Sequence, residues 1–277
     1  MIIGIDIGST TTKAVSIENG SFVRKIKTKA SDAVTSATGA LGKMIVENEM
    51  KMGDIQGIMI TGAGASKIKN DIFGIPTVRI DEIQAIGIGG IFFSGRDHII
   101  IANIGTGTAI IEAGPAGISH IGGSGVGGGT ILGLAKKLLP ITDFNGIMKL
   151  AETGNLNQVD LLLEDIMETD ISFLNKESTA SNFGKMLDTA GSGDIALGIV
   201  NLVYQVIGML SVFAAKSRNV GQVVVTGNGS KNLIGRKILS IITKMYGISF
   251  EYPQDAEYST AVGAGLSWKA GKSGPAQ

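Results

Sequence analysis

Residues 1–20, MIIGIDIGSTTTKAVSIENG, and residues 98–114, HIIIANIGTGTAIIEAG, repeat one pattern: an apolar strand, a turn of glycine and hydroxyl residues, and a returning strand. Two such units, each followed by helical periodicity, predict a layered α/β fold with two similar halves. A third turn of the same chemistry, TGNGS at 226–230, ends the strand QVVV. Three glycine-hydroxyl turns at strand ends suggest one shared ligand, because the amides of such turns converge on anions.

The chain between the repeats reads in the same way. FVRKIKT is a third strand, reached through a hairpin signal at Asn19 and Gly20. A helix is expected from Ser31 to Met52, with Ser31 and Asp32 offering acceptors to its first turn. The strand IQGIMITG, a short helix after Gly64, the strand TVRI and a helix from Asp81 follow. The lobe boundary is expected at Ser94 to Asp97, which divides the chain into lobes 1–95 and 96–277.

Composition removes whole classes of function. Twenty-four basic residues balance twenty-four acidic ones, so no net field draws the chain to nucleic acid or to an anionic membrane. No apolar run approaches the roughly 18 uninterrupted residues of a membrane span, and the start is strand-like rather than signal-like. The expected setting is cytoplasmic. There is no cysteine, which rules out disulfides, iron-sulfur clusters and thiolate zinc, and His98 and His120 alone cannot build a metal site.

In HIGGSGVGGGT, His120 to Thr130, six of eleven residues are glycine, and ILGLAKKLL with helical periodicity follows at once. A helix start flanked by glycines exposes unpaired amides and leaves room for an anion to lie against them. In GIDIGSTTTK, Asp6 ends an apolar strand and needs donors or a cation, since an unpaired buried charge is costly. Gly8 permits close approach, Ser9, Thr10, Thr11 and Thr12 supply hydroxyls and amides, and Lys13 supplies a point charge for phosphate.

In the order GIDIGSTTTK, ANIGTGT and VVVTGNGS, these turns resemble the two phosphate motifs and the adenosine motif of the actin-like ATPase fold. RIDEIQA, HIGGSGVGGGTILGL, NLNQVDLLLEDI, STASNFGKML and YSTAVGAGL are similar, in that order, to type II pantothenate kinases, from Gly4 to Leu266. The resemblance implies two ribonuclease-H-like lobes with ATP and magnesium between them. It also implies phosphorylation of pantothenate's primary hydroxyl, the first step of coenzyme A synthesis. A related small alcohol as acceptor, or an ATPase that drives a partner protein, are the alternatives.

The resemblance also assigns residues. Glu82 becomes the general base, with Asp81 as competitor or helix cap. Asp6 orients magnesium through water, and Ile7 belongs with Gly8 to Lys13 in the first phosphate turn. Thr106 sits by the transferred group and contacts substrate. Gly128, Gly129, Thr130, Ile131 and Leu132 run along the nucleotide, Phe144 of ITDF lies beside the adenine, and Asn228 and Gly229 close over its far side.

Two departures stand out. His120 occupies a place where arginine is usual in the family, and a histidine gives a carboxylate substrate one donor rather than a permanent bidentate charge. GSTTTK resembles the activator ATPases of 2-hydroxyacyl-CoA dehydratases, but those hold an iron-sulfur cluster through cysteines, which this chain lacks. The apolar stretch 194–219 reads as one long helix that its own lobe or a partner must bury, and the resemblance implies a homodimer through the C-terminal lobe. The tail KAGKSGPAQ is too polar and small to pack.

Overall fold

In the computed structural model, which describes residues 1–141, 143–167 and 176–268, the sequence repeat becomes two five-stranded sheets of one topology. Strands β1 (Ile2–Ile7), β2 (Thr11–Glu18), β3 (Ser21–Lys29), β4 (Gly57–Thr61) and β5 (Thr77–Arg79) stand in the order β3-β2-β1-β4-β5. The second sheet uses β6 (Ile99–Ile104), β7 (Thr108–Gly114) and β8 (Gly117–Ser124). After a small ladder of β9 (Leu161–Leu162) and β10 (Thr179–Ser181), β11 (Gln222–Thr226) and β12 (Ser249–Glu251) complete it in the order β12-β11-β6-β7-β8. In both sheets the leading strand has an antiparallel hairpin partner on one side, β1 with β2 and β6 with β7. On the other side it has a parallel partner, β4 or β11. Parallel neighbours require crossover connections, which is why helical segments separate them in the chain.

Local chemistry sets the boundaries. Asn19 and Gly20 both take positive φ, as the tight turn between β2 and β3 demands. Helix α1 (Ala33–Glu47) is capped by Asp32, which accepts from the Thr35 amide at 3.0 Å. It stops before the expected Met52, because Glu49 turns left-handed at φ 52° and Met52–Asp54 forms its own single turn. The expected helix after Gly64 is likewise one turn, Ala65–Lys67.

Helix α2 (Glu82–Ser94) precedes β6, and α3 (Gly128–Leu138) and α4 (Phe144–Ala151) follow β8. The long helix α5 runs over Ser192–Ser217, α6 over Leu233–Tyr246, and α7 over Ser259–Leu266. By length and hydropathy α5 is apolar enough to cross a membrane, but 61% of its most apolar window is buried inside the molecule. Its neighbours α3, α4, α6, β6 and β11 account for the wide apolar circumference read in the sequence, so α5 is the core helix of the second lobe.

NLNQVDLLLEDI and STASNFGKML are held together by one carboxylate. Asp160, fully buried, accepts from Asn201 Nδ2 of α5 at 2.8 Å, from the Phe183 amide at 2.9 Å and from Thr179 Oγ1 at 3.0 Å. Neutral donors thus satisfy a charge that would otherwise be expensive to bury. The ITDF threonine at 142 and the tail at 269–277 lie outside the described residues.

The lobes do not follow a cut after residue 95. Helix α7, last in the chain, packs on β1, β2 and β4 of the first sheet, whereas α2 packs on β6, β7 and β8 of the second. The two helices cross each other between the sheets through backbone contact. A Cβ on Gly263 would stand 1.8 Å from the Ala85 carbonyl oxygen, and one on Gly89 would stand 2.0 Å from that of Ser259. On the other side of α7, Gly4 of β1 meets the Ala261 carbonyl in the same way, at 2.0 Å. The layers therefore run first sheet, α7, α2, second sheet, with the two helices exchanged relative to chain order.

Candidate active site

The three glycine-hydroxyl turns meet. Ser9 Oγ of the first lobe lies 2.6 Å from Thr106 Oγ1 of the second. Asn228 Nδ2 donates to Thr11 Oγ1 at 3.1 Å. These turns follow the C-terminal ends of β1, β6 and β11, where an α/β sheet leaves a crevice for ligands.

A fourth turn, TGAG at 61–64, escapes a reading based on hydroxyl-rich loops, yet it is the repeat counterpart of TGNG at 226–229. Gly62 and Gly227 have φ of +87° and +75°, a region that strains any residue with a side chain. A Cβ on Gly62 would lie 2.6 Å from Asp6 Oδ1, and one on Gly227 2.9 Å from Asn103 Oδ1. Asn103, also absent from the sequence reading, is therefore the second lobe's counterpart of Asp6. Its Oδ1 accepts from Thr226 Oγ1 at 3.0 Å. Aligning the two repeats residue by residue is the signal that finds both.

Two adjoining cavities open between the lobes. One, of about 500 Å³, has a largely apolar wall that includes Ile131, Leu132, Phe144, Met148 and Tyr204. The other, of about 380 Å³, is polar and is lined by Asp6, Lys13, Glu82, Asn103 and Ser124. They share Thr10, Thr11, Gly105, Thr106 and Asn228 as a common wall. An apolar chamber joined to a carboxylate-bearing one through a wall of hydroxyls and glycine amides suits a nucleotide base, its phosphate tail and an acceptor, in that order.

The electrostatics of the polar chamber are specific. Burial pushes the Asp6 carboxyl up, and the Lys13 ammonium beside it, 3.8 Å away, opposes that shift. Glu82 is also raised, first by burial and then by the like charges of Asp6 and Asp81. Asp81 is engaged elsewhere, accepting from the Gln84 amide at 3.0 Å as the cap of α2. Of the two neighbouring acids, then, only Glu82 faces the cavity. No cluster of three or more metal-ligating side chains occurs among the described residues. Asp6, with a carboxylate aimed into a polar chamber, fits magnesium, which takes few carboxylates and keeps waters and phosphate oxygens.

The glycine run works differently from the expectation. The amides that start α3 are already bonded: Gly128 N donates to Gly105 O and Gly129 N to Thr106 O, each at 2.9 Å. Thr130 Oγ1 accepts from Gly127 N at 3.1 Å and closes the helix end. Cβ atoms on Gly127 and Gly129 would fall 2.6 Å and 3.0 Å from the Thr106 carbonyl oxygen. The glycines let α3 abut the Gly105–Gly107 turn and support it from behind. The donors left open at this junction belong to that turn, whose Thr106 and Gly107 amides make no hydrogen bond among the described residues.

Most of the residues singled out in the sequence line one chamber or both: Gly8, Ser9 and Lys13 the polar one, Gly128, Gly129 and Gly229 the apolar one. Ile7 and Thr12 are buried in the first sheet and Thr130 caps α3, so these three support the walls. His120 is exposed on β8, opposite Ile111, and lines neither cavity. Tyr204 was not singled out. Its hydroxyl donates to Gly229 O at 2.8 Å and fixes the turn at 226–230.

The family model described as Fumble matches residues 98–264. A type II pantothenate kinase of Bacillus anthracis is 31% identical over 272 residues, covering 95% of both chains. Among solved structures, the activator of the 2-hydroxyisocaproyl-CoA dehydratase from Clostridium difficile, with bound ADPNP, is similar with a TM-score of 0.68. It is 19% identical, over 96% of this chain and 92% of that one. A ROK family glucokinase from Streptomyces griseus, in complex with glucose and AMPPNP, gives a TM-score of 0.61 at 14% identity, over 95% and 97%. These two structures share the fold, an actin-like ATPase architecture.

Proposed function

The chain belongs to the type II pantothenate kinase family, and from that premise we infer that it transfers the γ-phosphoryl group of ATP to the primary hydroxyl of pantothenate. The observation that carries the reading is the pair of chambers joined at Thr10, Thr11, Gly105, Thr106 and Asn228, with Glu82 in the polar one.

Phosphoryl transfer depends mainly on positioning and charge neutralisation, with one group to take the proton. The apolar chamber holds the base, beside Phe144 and Leu132. The turns at Ser9 to Thr11 and Thr106 to Gly107 hold the phosphates. Glu82 accepts the hydroxyl proton as the new O–P bond forms and the bond from phosphorus to the β–γ bridging oxygen breaks. Asp6 would hold magnesium through water, and the bound ion would neutralise negative charge on the phosphates. Lys13 stays beside Asp6 and limits the repulsion between that carboxylate and the triphosphate.

The test is ADP release coupled to a dehydrogenase readout, with mass spectrometry of the product. We expect turnover to require pantothenate and to yield its monophosphate. Equal ADP release with and without pantothenate would instead support a partner-driven ATPase. A homodimer through the second lobe, in a cytoplasmic setting, is part of the same proposal and is supported by the exposed Phe213 on α5 and Ile241 on α6. Light scattering should give twice the 28.6 kDa of one chain; a monomer would remove this part.

A further inference from the structure

Strand β3 presents Lys25 and Lys27, two residues apart, on the same face. Their partners differ. Lys25 Nζ reaches the Asp255 carboxylate at 2.6 Å, a charge match, whereas Lys27 Nζ donates to the neutral carboxamide oxygen of Asn228 at 2.9 Å. Among the described residues Lys27 has no carboxylate partner, although it lines the larger cavity. In addition, Lys27 sits directly across the ladder from Lys13. Like charges opposite one another destabilise a sheet; Lys13 is ion-paired with Asp6, whereas Glu257, the carboxylate whose charge favours Lys27, is itself ion-paired with Lys231.

An ammonium hydrogen-bonded to a neutral carboxamide, facing another ammonium across the strand pair and fixed next to the wall the two chambers share, is arranged for an anionic ligand. We propose that Lys27 is a phosphate-binding cation of this site, which leaves Asn228 and engages the phosphate tail of a nucleoside triphosphate entering between the lobes. This rests on the reading of the site as ATP-dependent. It divides the work of the two lysines: Lys13 stays with Asp6 on the acceptor side, and Lys27 meets the nucleotide on the other. Partial burial first, then the Lys13 and Lys231 charges, push the Lys27 ammonium below the ordinary lysine range against the opposing pull of Glu257, a tension that phosphate relieves. No motif marks this residue, because a lysine in VRKIKTK reads as part of a solvated strand face.

Calorimetric titration of AMPPNP and, separately, of adenosine tests the assignment on the full chain. Lys27→Met should weaken AMPPNP about tenfold or more while adenosine binds as before, and Lys27→Arg should recover most of the loss. Lys25→Met, which breaks a neighbouring contact between the lobes, should leave AMPPNP within about twofold. Equal losses for AMPPNP and adenosine in Lys27→Met would reduce Lys27 to a strut between the lobes, and no loss for either would remove it from the site. If the wild-type chain binds AMPPNP but does not phosphorylate pantothenate, the kinase reading fails while the Lys27 assignment stands.

Discussion

Replacing Glu82 by glutamine should leave AMPPNP binding intact and lower pantothenate-dependent turnover by about 10²–10⁴-fold, the usual contribution of a positioned base. Glutamine keeps the shape of the side chain and loses the ability to take a proton. The companion measurement is a pH profile of kcat/KM in the wild type. A base works ionised, and Glu82 is held above the ordinary glutamate range by burial and by Asp6 and Asp81. The rate should therefore fall as the pH drops through that raised value. Asp6→Asn removes one like charge, so the acid limb should move to lower pH even as turnover declines. Full acceptor-dependent turnover in Glu82→Gln would transfer the role to another group, and Asp81 is a poor substitute because its carboxylate is engaged in capping α2.

The second large effect concerns stability. In a solvent-facing helix, glycine to alanine is favourable by about 0.5–1 kcal/mol, because alanine loses less backbone freedom on folding. At Gly263 the sign should reverse. The added carbon would meet the Ala85 carbonyl oxygen at 1.8 Å and the Gly89 nitrogen at 2.7 Å, all backbone atoms that no rotamer change can relieve. Helices α2 and α7 would have to separate, and Gly263→Ala should cost about 3 kcal/mol or more, seen as a lower urea midpoint and a poor soluble yield. Gly39→Ala in α1, where nothing lies within 4 Å of the new carbon, is the control and should be neutral or stabilising. Equal destabilisation at both positions would mean that the crossing is not the cause.

Much of the fold was legible because the repeat is written in short range. Strand, turn and hairpin signals at residues 1–20 and 98–114 fix the leading strands of both sheets and bring Asp6 and Thr106 to one cleft. What could not be read depends on long-range packing. The exchange of α2 and α7 between lobes follows from which face each helix buries, and α7 carries almost no amphipathic signal because it is buried nearly all round. The glycine loop does lead into a helix, as the periodicity after it implies, but an amide's partner is invisible in sequence. Here the partners are the carbonyls of Gly105 and Thr106 rather than a ligand. Lys27 is hidden for a similar reason, since its value lies in the lysine opposite and in a neutral hydrogen-bond partner from another turn.

The exchanged helices divide the chemistry as well. Glu82 stands on the first turn of α2, which rests on the second sheet where Gly87 meets Ile118 and Gly90 meets Ile101, while Asp6 stands on the sheet that α7 covers. The two acids are thus mounted on opposite sides of the crossing, where the backbones touch at Gly263 and Gly89. The spacing between proton acceptor and metal-side carboxylate is therefore set by how closely those two helices seat on each other.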